Sequence, residues 1–310
     1  MNEPDGPVDD LPEDALYPIR TVCAITGVNP VTLRAWERRY DLLQPRRTPK
    51  GHRLYTKAQI ETIRRVVALL GQGIAISQVK PLLAEASSAT RPMATEGDNA
   101  GDLWATRNEQ VLDAISHFDT PSLDQIYSDT LSLYPVDTVT RHMTIPVLET
   151  LGSRWRVNRT GIAEEHFFNA YLRNKLGARC LHRSASGDGA LLLAACLPAE
   201  QHETGLLLFS LSAIAHGFRL IYLGANMPLE ELPLVVERSE ADAIVLSSAI
   251  KPKPAVLGEQ LPDLVHRISV PLFVGGQVAV TQEKSIAAAG ALPVGTDIPE
   301  AIRRIKTYLR

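Results

Sequence analysis

From Ala190 to Leu309 the chain alternates short apolar runs with stretches of helical periodicity, and that alternation leaves few folds open. The runs Ala190–Cys196, Arg219–Leu223, Ala243–Ser247, Leu272–Val274 and Leu292–Val294 are short enough for strands. The longer segments between them, from Leu206–His216 to Ile298–Leu309, read as helices. Five strands separated by helices specify a parallel, doubly wound sheet, because a parallel neighbour is reached only through a crossover. Such sheets bind ligands beyond the carboxyl ends of their strands, at the point where strand order reverses.

The residues at those ends carry chemistry. Glu200-Gln201-His202-Glu203-Thr204-Gly205 follows the first run, Ser247-Ser248 closes the third, and Gly275-Gly276 closes the fourth. A lone histidine in such a loop is ordinarily a surface residue. Glu200 sharpens the case, because a carboxylate two residues away can hold one imidazole nitrogen while the other meets a metal. Glycines at strand ends let a backbone approach a flat ligand.

The opposite end of the chain has a different character. Residues 18–83 hold twelve Lys/Arg against three acids in a chain of net charge −3, so the remainder carries −12. A basic head on an acidic body fits polyanion binding. Asn29-Pro30 starts a helix running to Tyr40, with Leu33, Trp36 and Tyr40 on one face and Arg34 and Arg38 on others. The shorter helix Ile19–Thr26, ended by Gly27, precedes it, making a helix–turn–helix. Gln44–Tyr55 is a basic turn bracketed by prolines and glycine, suited to lying along phosphates. Thr56 caps a helix to Gly71, and Ile76–Ala84 forms another. Arg34 and Arg38 are expected near base edges, and Arg46, Arg47, Lys50, Arg53 and Tyr55 on the phosphate-facing wing. Between head and sheet, Val136, Val139, Met143, Val147, Leu148, Leu151 and Trp155 trace a helical stripe that Pro146 is expected to kink. Gly161–Leu181 continues with Phe168 and Leu172 inward, and Glu165 is expected on the same stripe, in want of a partner.

The segments Thr32–Tyr40 and Gly51–Tyr55 resemble the recognition helix and wing of the MerR family of transcription regulators. The loop Glu200-x-His202-x-x-Gly205, with Ser247, Ser248, Gly275 and Gly276, resembles the cobalamin-binding Rossmann-type domain. That resemblance implies His202 beneath cobalt, in place of the cofactor's own base, with the displaced tail near the serines and glycines. The spacing from Trp155 to Glu165-His166 is similar to the helical cap of the CarH/LitR photoreceptors. There the Trp, an apolar residue (here Ile162) and the Glu-His pair enclose the 5′-deoxyadenosyl group. Arg156 departs from the pattern, standing where a histidine captures cobalt after illumination.

The resulting expectation is a multidomain α plus α/β chain. Residues 1–16 form a disordered tail, 17–84 a winged helix–turn–helix, 85–102 a flexible Ser/Ala/Thr-rich linker, 103–184 a helical-bundle cap and 187–310 a flavodoxin/Rossmann-like cobalamin domain. The resemblance implies a light-responsive, adenosylcobalamin-dependent repressor that binds operator DNA as a dark-state homotetramer. A light-independent cobalamin sensor is the alternative. An enzymatic corrinoid carrier fits poorly, because a DNA-binding head is useless to it. No apolar run is long enough to span a bilayer, and Cys23, Cys180 and Cys196 are too scattered for a disulfide framework, so a cytoplasmic location is expected.

Overall fold

The computed structural model describes residue 12 and residues 15–88, 98–154, 160–183 and 189–309. They divide into two compact units, Met1–Tyr171 and Leu172–Arg310.

The first unit begins with a small antiparallel sheet, β1 (Tyr17–Pro18), β2 (Arg46–Arg47) and β3 (Arg53–Tyr55), in the order β1-β3-β2. Helices α1 (Ile19–Thr26) and α2 (Pro30–Tyr40) lie between its first two strands, and α3 (Lys57–Gly71) and α4 (Ile76–Ser88) follow. The caps explain the boundaries. Asn29 accepts from the amides of Val31 and Thr32 at the start of α2, and Thr56 and Gln59 form a reciprocal capping box on α3. Gly27 ends α1 in the left-handed region at φ +70°.

Helices α5 (Asp98–Ser116), α6 (Thr120–Leu133), α7 (Val136–Val139), α8 (Ile145–Arg154) and α9 (Gly161–Arg183) follow, α9 running on into the second unit. A π-helical turn, Thr140–Thr144, joins α7 to α8 just ahead of Pro146, where the sequence leads one to expect a kink. Proline has no N–H for the carbonyl of His142, and Asn108 Nδ2 donates to that carbonyl instead at 3.1 Å. The expected linker is helical at both ends: α4 extends to Ser88 and α5 begins at Asp98, while residues 89–97 lie outside the described residues. The expected tail falls almost wholly outside them too.

Head and bundle are in direct contact. The two glycines that end α3 leave carbonyls without helical partners. Trp104 Nε1 donates to the Gly73 carbonyl at 3.1 Å, and His142 Nε2 meets the Gly71 carbonyl at 3.0 Å. Trp104 and His142 stack with ring centroids 5.3 Å apart, and the edge of Tyr134 closes on Trp104 at 4.9 Å. The Tyr134 hydroxyl accepts from the Ile76 amide, and the fully buried Trp36 of α2 donates from Nε1 to the Leu133 carbonyl at 2.8 Å. Among the described residues, head and bundle are joined by a polar and aromatic seam.

The second unit is the parallel sheet. Its strands β4 (Leu191–Cys196), β5 (Arg219–Gly224), β6 (Ala243–Ser247), β7 (Leu272–Gly275) and β8 (Leu292–Gly295) lie in the order β5-β4-β6-β7-β8. Helices α10 (Thr204–Ala215), α11 (Leu232–Ser239), α12 (Leu261–Arg267), α13 (Gln277–Thr281), α14 (Glu283–Ala288) and α15 (Ile298–Tyr308) alternate with them. Every residue of β4 is buried, and alternate residues feed two cores, Leu193 and Ala195 on one face and Leu192, Ala194 and Cys196 on the other. The order reverses between β4 and β6, which places the topological switch point at the loops following those two strands. Among the described residues no helix is long and apolar enough to cross a membrane.

Candidate cofactor and DNA sites

The two loops at the switch point are tied together by one carboxylate. Glu200 is completely buried. Its Oε1 accepts from the backbone amide of His202 at 2.7 Å and faces His202 Nδ1 at 2.9 Å. Its Oε2 accepts from Ser248 Oγ at 3.0 Å and from the amides of Ala249 and Ile250 at 2.7 and 3.1 Å. Burial pushes the Glu200 carboxyl up, but the amides of His202, Ala249 and Ile250 and the His202 ring outweigh it, leaving the group below its ordinary value. An ionised Glu200 holds Nδ1 as the protonated nitrogen, so Nε2 carries the lone pair. The His202 side chain is 58 % exposed, and among the described residues Nε2 has no partner.

The loop is pinned from β5's side as well. Asn226 Oδ1 accepts from the Ala199 amide at 2.7 Å, and the Asn226 amide donates to the Glu200 carbonyl at 2.9 Å. A Cβ added at Gly205 would meet nothing within 4 Å, so the first turn of α10 presents a bare backbone beside His202. Gly276 behaves differently. It sits at φ +84°, and a Cβ there would lie 2.5 Å from the Ser248 carbonyl oxygen and 3.2 Å from Ser247 Oγ. Its glycine character serves the packing of β7's end on Ser248, whereas the sequence suggested approach to a flat ligand. Gly275 has ordinary clearance, 3.4 Å from Val294.

This donor set fits a corrinoid. His202 supplies a single neutral nitrogen, and a metal that takes one protein ligand brings its other donors with it. The open face at Gly205 leaves room for a broad planar group. Glu200, His202, Ser248 and Gly205 are thus gathered at one edge. Ser247 and the glycine pair support it from the neighbouring strands.

Of the residues expected over the upper face, Trp155 lies outside the described residues, as does Arg156. Ile162, Glu165 and His166 fall at i, i+3 and i+4 in the first turns of α9 and share one face. Ile162 is 57 % exposed there, and His166 is exposed too. The expectation that Glu165 lies on the inward stripe with Phe168 is corrected: the buried acid is its neighbour. Glu164 is 4 % exposed and accepts from Thr160 Oγ1 at 2.6 Å, while its Oε2 is buried without a partner among the described residues. A shift of one position, 100° around the helix, separates the two roles.

In the head, Arg34 and Arg38 are exposed on α2, and Arg46, Arg47 and Lys50 are exposed on the wing. The seam takes Trp36, on the opposite side of α2, so docking to the bundle leaves the basic face open. Two expected phosphate contacts are already engaged. Glu37 on α2 pairs with Arg53 Nε at 2.5 Å and with Arg47 at 2.9 Å, fastening the wing to the recognition helix. Burial pushes Glu37 up, but hydrogen bonding and charge from Arg53, then Arg47, hold it below the usual carboxylate range. Tyr55 is a correction: it is fully buried, and burial pushes its hydroxyl up to about 12. It belongs to the head's core and cannot touch DNA from there. Glu37 and Asn226 were missed in the sequence. An acid inside a basic recognition helix was the available signal for the first, and none marked the second.

The comparisons with known proteins fall on the same parts. The MerR HTH family regulatory protein profile matches residues 17–86, and the B12 binding domain profile matches residues 107–179. The HTH-type transcriptional repressor CarH of Myxococcus xanthus is 30 % identical over 271 residues, covering 85 % of this chain and 89 % of the relative. The chain belongs to the MerR family of transcription regulators, in its CarH-type branch. CarA, an HTH-type transcriptional repressor of the same organism, is 28 % identical over 88 % of this chain and 91 % of its own length. Among solved structures, the monomethylamine corrinoid protein of Methanosarcina barkeri superposes with a TM-score of 0.53 at 16 % identity, covering 66 % of this chain and 99 % of that one. That likeness supports the fold alone. For this CarH-type regulator, the matched profiles coincide with the head and with most of the helical bundle.

Proposed function

We propose that this regulator is a light-responsive repressor that binds operator DNA in the dark with adenosylcobalamin bound, and releases the DNA after illumination. The observation that carries the reading is the Glu200–His202–Ser248 site, an imidazole held by a buried carboxylate at the switch point, in a chain that also bears an exposed basic recognition helix. In this reading His202 Nε2 would hold the cobalt, Glu200 would fix its tautomer, and Ser248 would hold Glu200. When bound, adenosylcobalamin supplies a Co–C bond that visible light breaks. By the family resemblance, Trp155, Ile162, Glu165 and His166 would recognise the adenosyl group, with Glu165 an acceptor for a ribose hydroxyl. Arg34 and Arg38 contact base edges, Arg46 and Lys50 contact phosphates, and Arg47 and Arg53 reach phosphates from their pairing with Glu37. The parts are a head over 17–84, a cap over 103–184 and a cobalamin domain over 187–310. A dark homotetramer joins two operator half-sites, and the cofactor shifts the assembly only by its differential affinity for the two states.

Arg156 favours one further reading. It stands where one photoreceptor of the family carries a histidine that captures cobalt after light; either His166 substitutes or no such adduct forms, and in the latter case cofactor level rather than photolysis would be the signal. One experiment separates the two. Protein loaded with adenosylcobalamin is followed by absorption, size-exclusion and operator retardation, before and after green light. The light-responsive reading expects a large dark oligomer bound to DNA and loss of both on illumination. An oligomer and a DNA complex indifferent to light would overturn it in favour of level sensing.

A further inference from the structure

The acid after His202 is placed oddly for its position. Glu203 is the N-cap of α10, where an acidic side chain ordinarily accepts from the helix's first free amides. It makes no such bond. Both oxygens turn away from the helix instead: Oε2 accepts from the Tyr222 hydroxyl at 2.9 Å, and Oε1 pairs with Arg173 Nε at 2.5 Å. The Glu203 side chain is 13 % exposed.

The end of β5 is shaped to receive it. Tyr222 pairs with Ala194 and Gly224 with Ala195, so Leu223 is an extra residue, a bulge, on the strand edge beside the His202 loop. Bulges re-aim side chains and occur beside binding sites. Gly224 follows at φ +79°, and a Cβ there would lie 3.2 Å from Glu203 Oε2 and 3.7 Å from the Tyr222 ring. Burial first, then the Glu203 carboxylate, push the Tyr222 hydroxyl well up, which keeps it a proton donor to that carboxylate. Four features therefore converge on one carboxylate that neither caps its helix nor belongs to the Glu200 network: a bulge, a left-handed glycine, a phenol and a guanidinium.

We propose that Glu203 is a positioning residue for the cobalt ligand, clamped by Tyr222 and Arg173 so that the backbone after His202 is held and the imidazole stays on the metal. The inference rests on the cobalamin reading of His202. Glu200 sets the ring's tautomer and orientation from the loop's near side, and Glu203 fixes the far side, where the chain enters α10. With Glu203 released, the loop keeps its Glu200 contacts but gains freedom at the residue joining it to the helix.

The test uses the full chain, its histidines isotope-labelled at nitrogen, with cob(II)alamin and adenosylcobalamin as probes, reading by electron paramagnetic resonance the axial splitting from the labelled histidine nitrogen, together with the absorption spectrum and the dissociation constant. Amide exchange at residues 200–204 is read on the cofactor-free protein. Wild type is expected to show histidine-on cobalt, and His202→Ala to lose the splitting from the labelled histidine nitrogen. Glu203→Ala is expected to give a mixture of histidine-on and histidine-off spectra, about tenfold weaker binding and faster exchange in the loop. Glu203→Gln keeps an acceptor for Tyr222 and should recover most of the histidine-on signal. Tyr222→Phe removes a single hydroxyl without threatening the fold, and should shift the spectrum in the same direction by less. Unchanged splitting, affinity and exchange in both Glu203→Ala and Tyr222→Phe, with His202→Ala behaving as expected, overturns the positioning role alone. A wild-type protein that shows no axial histidine nitrogen overturns the cobalt-ligand reading of His202 and the positioning role with it.

Discussion

The seam between head and bundle and the loop around His202 solve the same problem in opposite ways. Each joins parts distant in sequence by giving backbone groups the partners they lack. In the loop a single carboxylate does this: Glu200 accepts from five donors on two strand-end loops. In the seam the work is spread over four hydrogen bonds from separate residues, Trp36, Ile76, Trp104 and His142, with stacked rings around them. A concentrated network fixes geometry sharply and fails all at once, as would suit the cobalt ligand proposed at His202. A distributed one yields by degrees.

The contrast is open to attack, first where it is most extreme. Glu200→Ala should leave the Ala249 and Ile250 amides without their acceptor, while Ser248 Oγ keeps the Ile250 carbonyl at 2.9 Å. Denaturant unfolding of the second unit should show a loss of at least about 3 kcal/mol, with cobalamin binding abolished. A loss under about 1 kcal/mol would mean that the loop is distributed after all.

Gly276→Ala comes next. The added methyl meets the Ser248 carbonyl at 2.5 Å in a left-handed backbone, so a loss of about 2 kcal/mol is expected. Because the clash falls on Ser248, cobalamin affinity should fall as well. A titration showing stability lost but affinity kept would detach the glycine from the site.

At the seam, Trp104→Phe keeps most of the ring and deletes one hydrogen bond, and the expected cost is about 1 kcal/mol. Operator affinity should weaken modestly, and the first unit should still unfold in one transition by circular dichroism. A separate early transition for the head would show that Trp104 alone carries the joint, making the seam as concentrated as the loop.

The smallest effect concerns the wing. Glu37 has a folded value below its ordinary one, so its contribution is present above the ordinary carboxylate value and is lost as pH falls through the folded one. The head should therefore weaken only below about pH 4.5. At neutral pH, Glu37→Gln should remove the same contribution, of less than about 1 kcal/mol, and abolish that acid dependence. An acid transition unchanged in Glu37→Gln would assign it to another carboxylate.

The helix starts, the strands and the Glu200–His202 loop are legible in the sequence because each is local. Asn29-Pro30 and Thr56 with Gln59 mark helix starts through contacts within three residues, and the five apolar runs announce a parallel sheet. Glu200 and His202 are two residues apart, so their pairing is a local geometry that spacing reveals. Which of Glu164 and Glu165 faces inward was not legible, because both lie near the edge of the apolar stripe and the packing of α9 decides between them. Tyr55 shows the same limit: a tyrosine on a basic wing suits a phosphate contact as well as a core, and only burial tells which. The seam, the Asn226 pin and the Glu203 clamp were decided by tertiary structure. Their partners are far apart in the chain, and in the seam and the Asn226 pin at least half of each contact is a backbone group. Every residue type has an amide and a carbonyl, so the sequence cannot mark which ones a distant side chain will find.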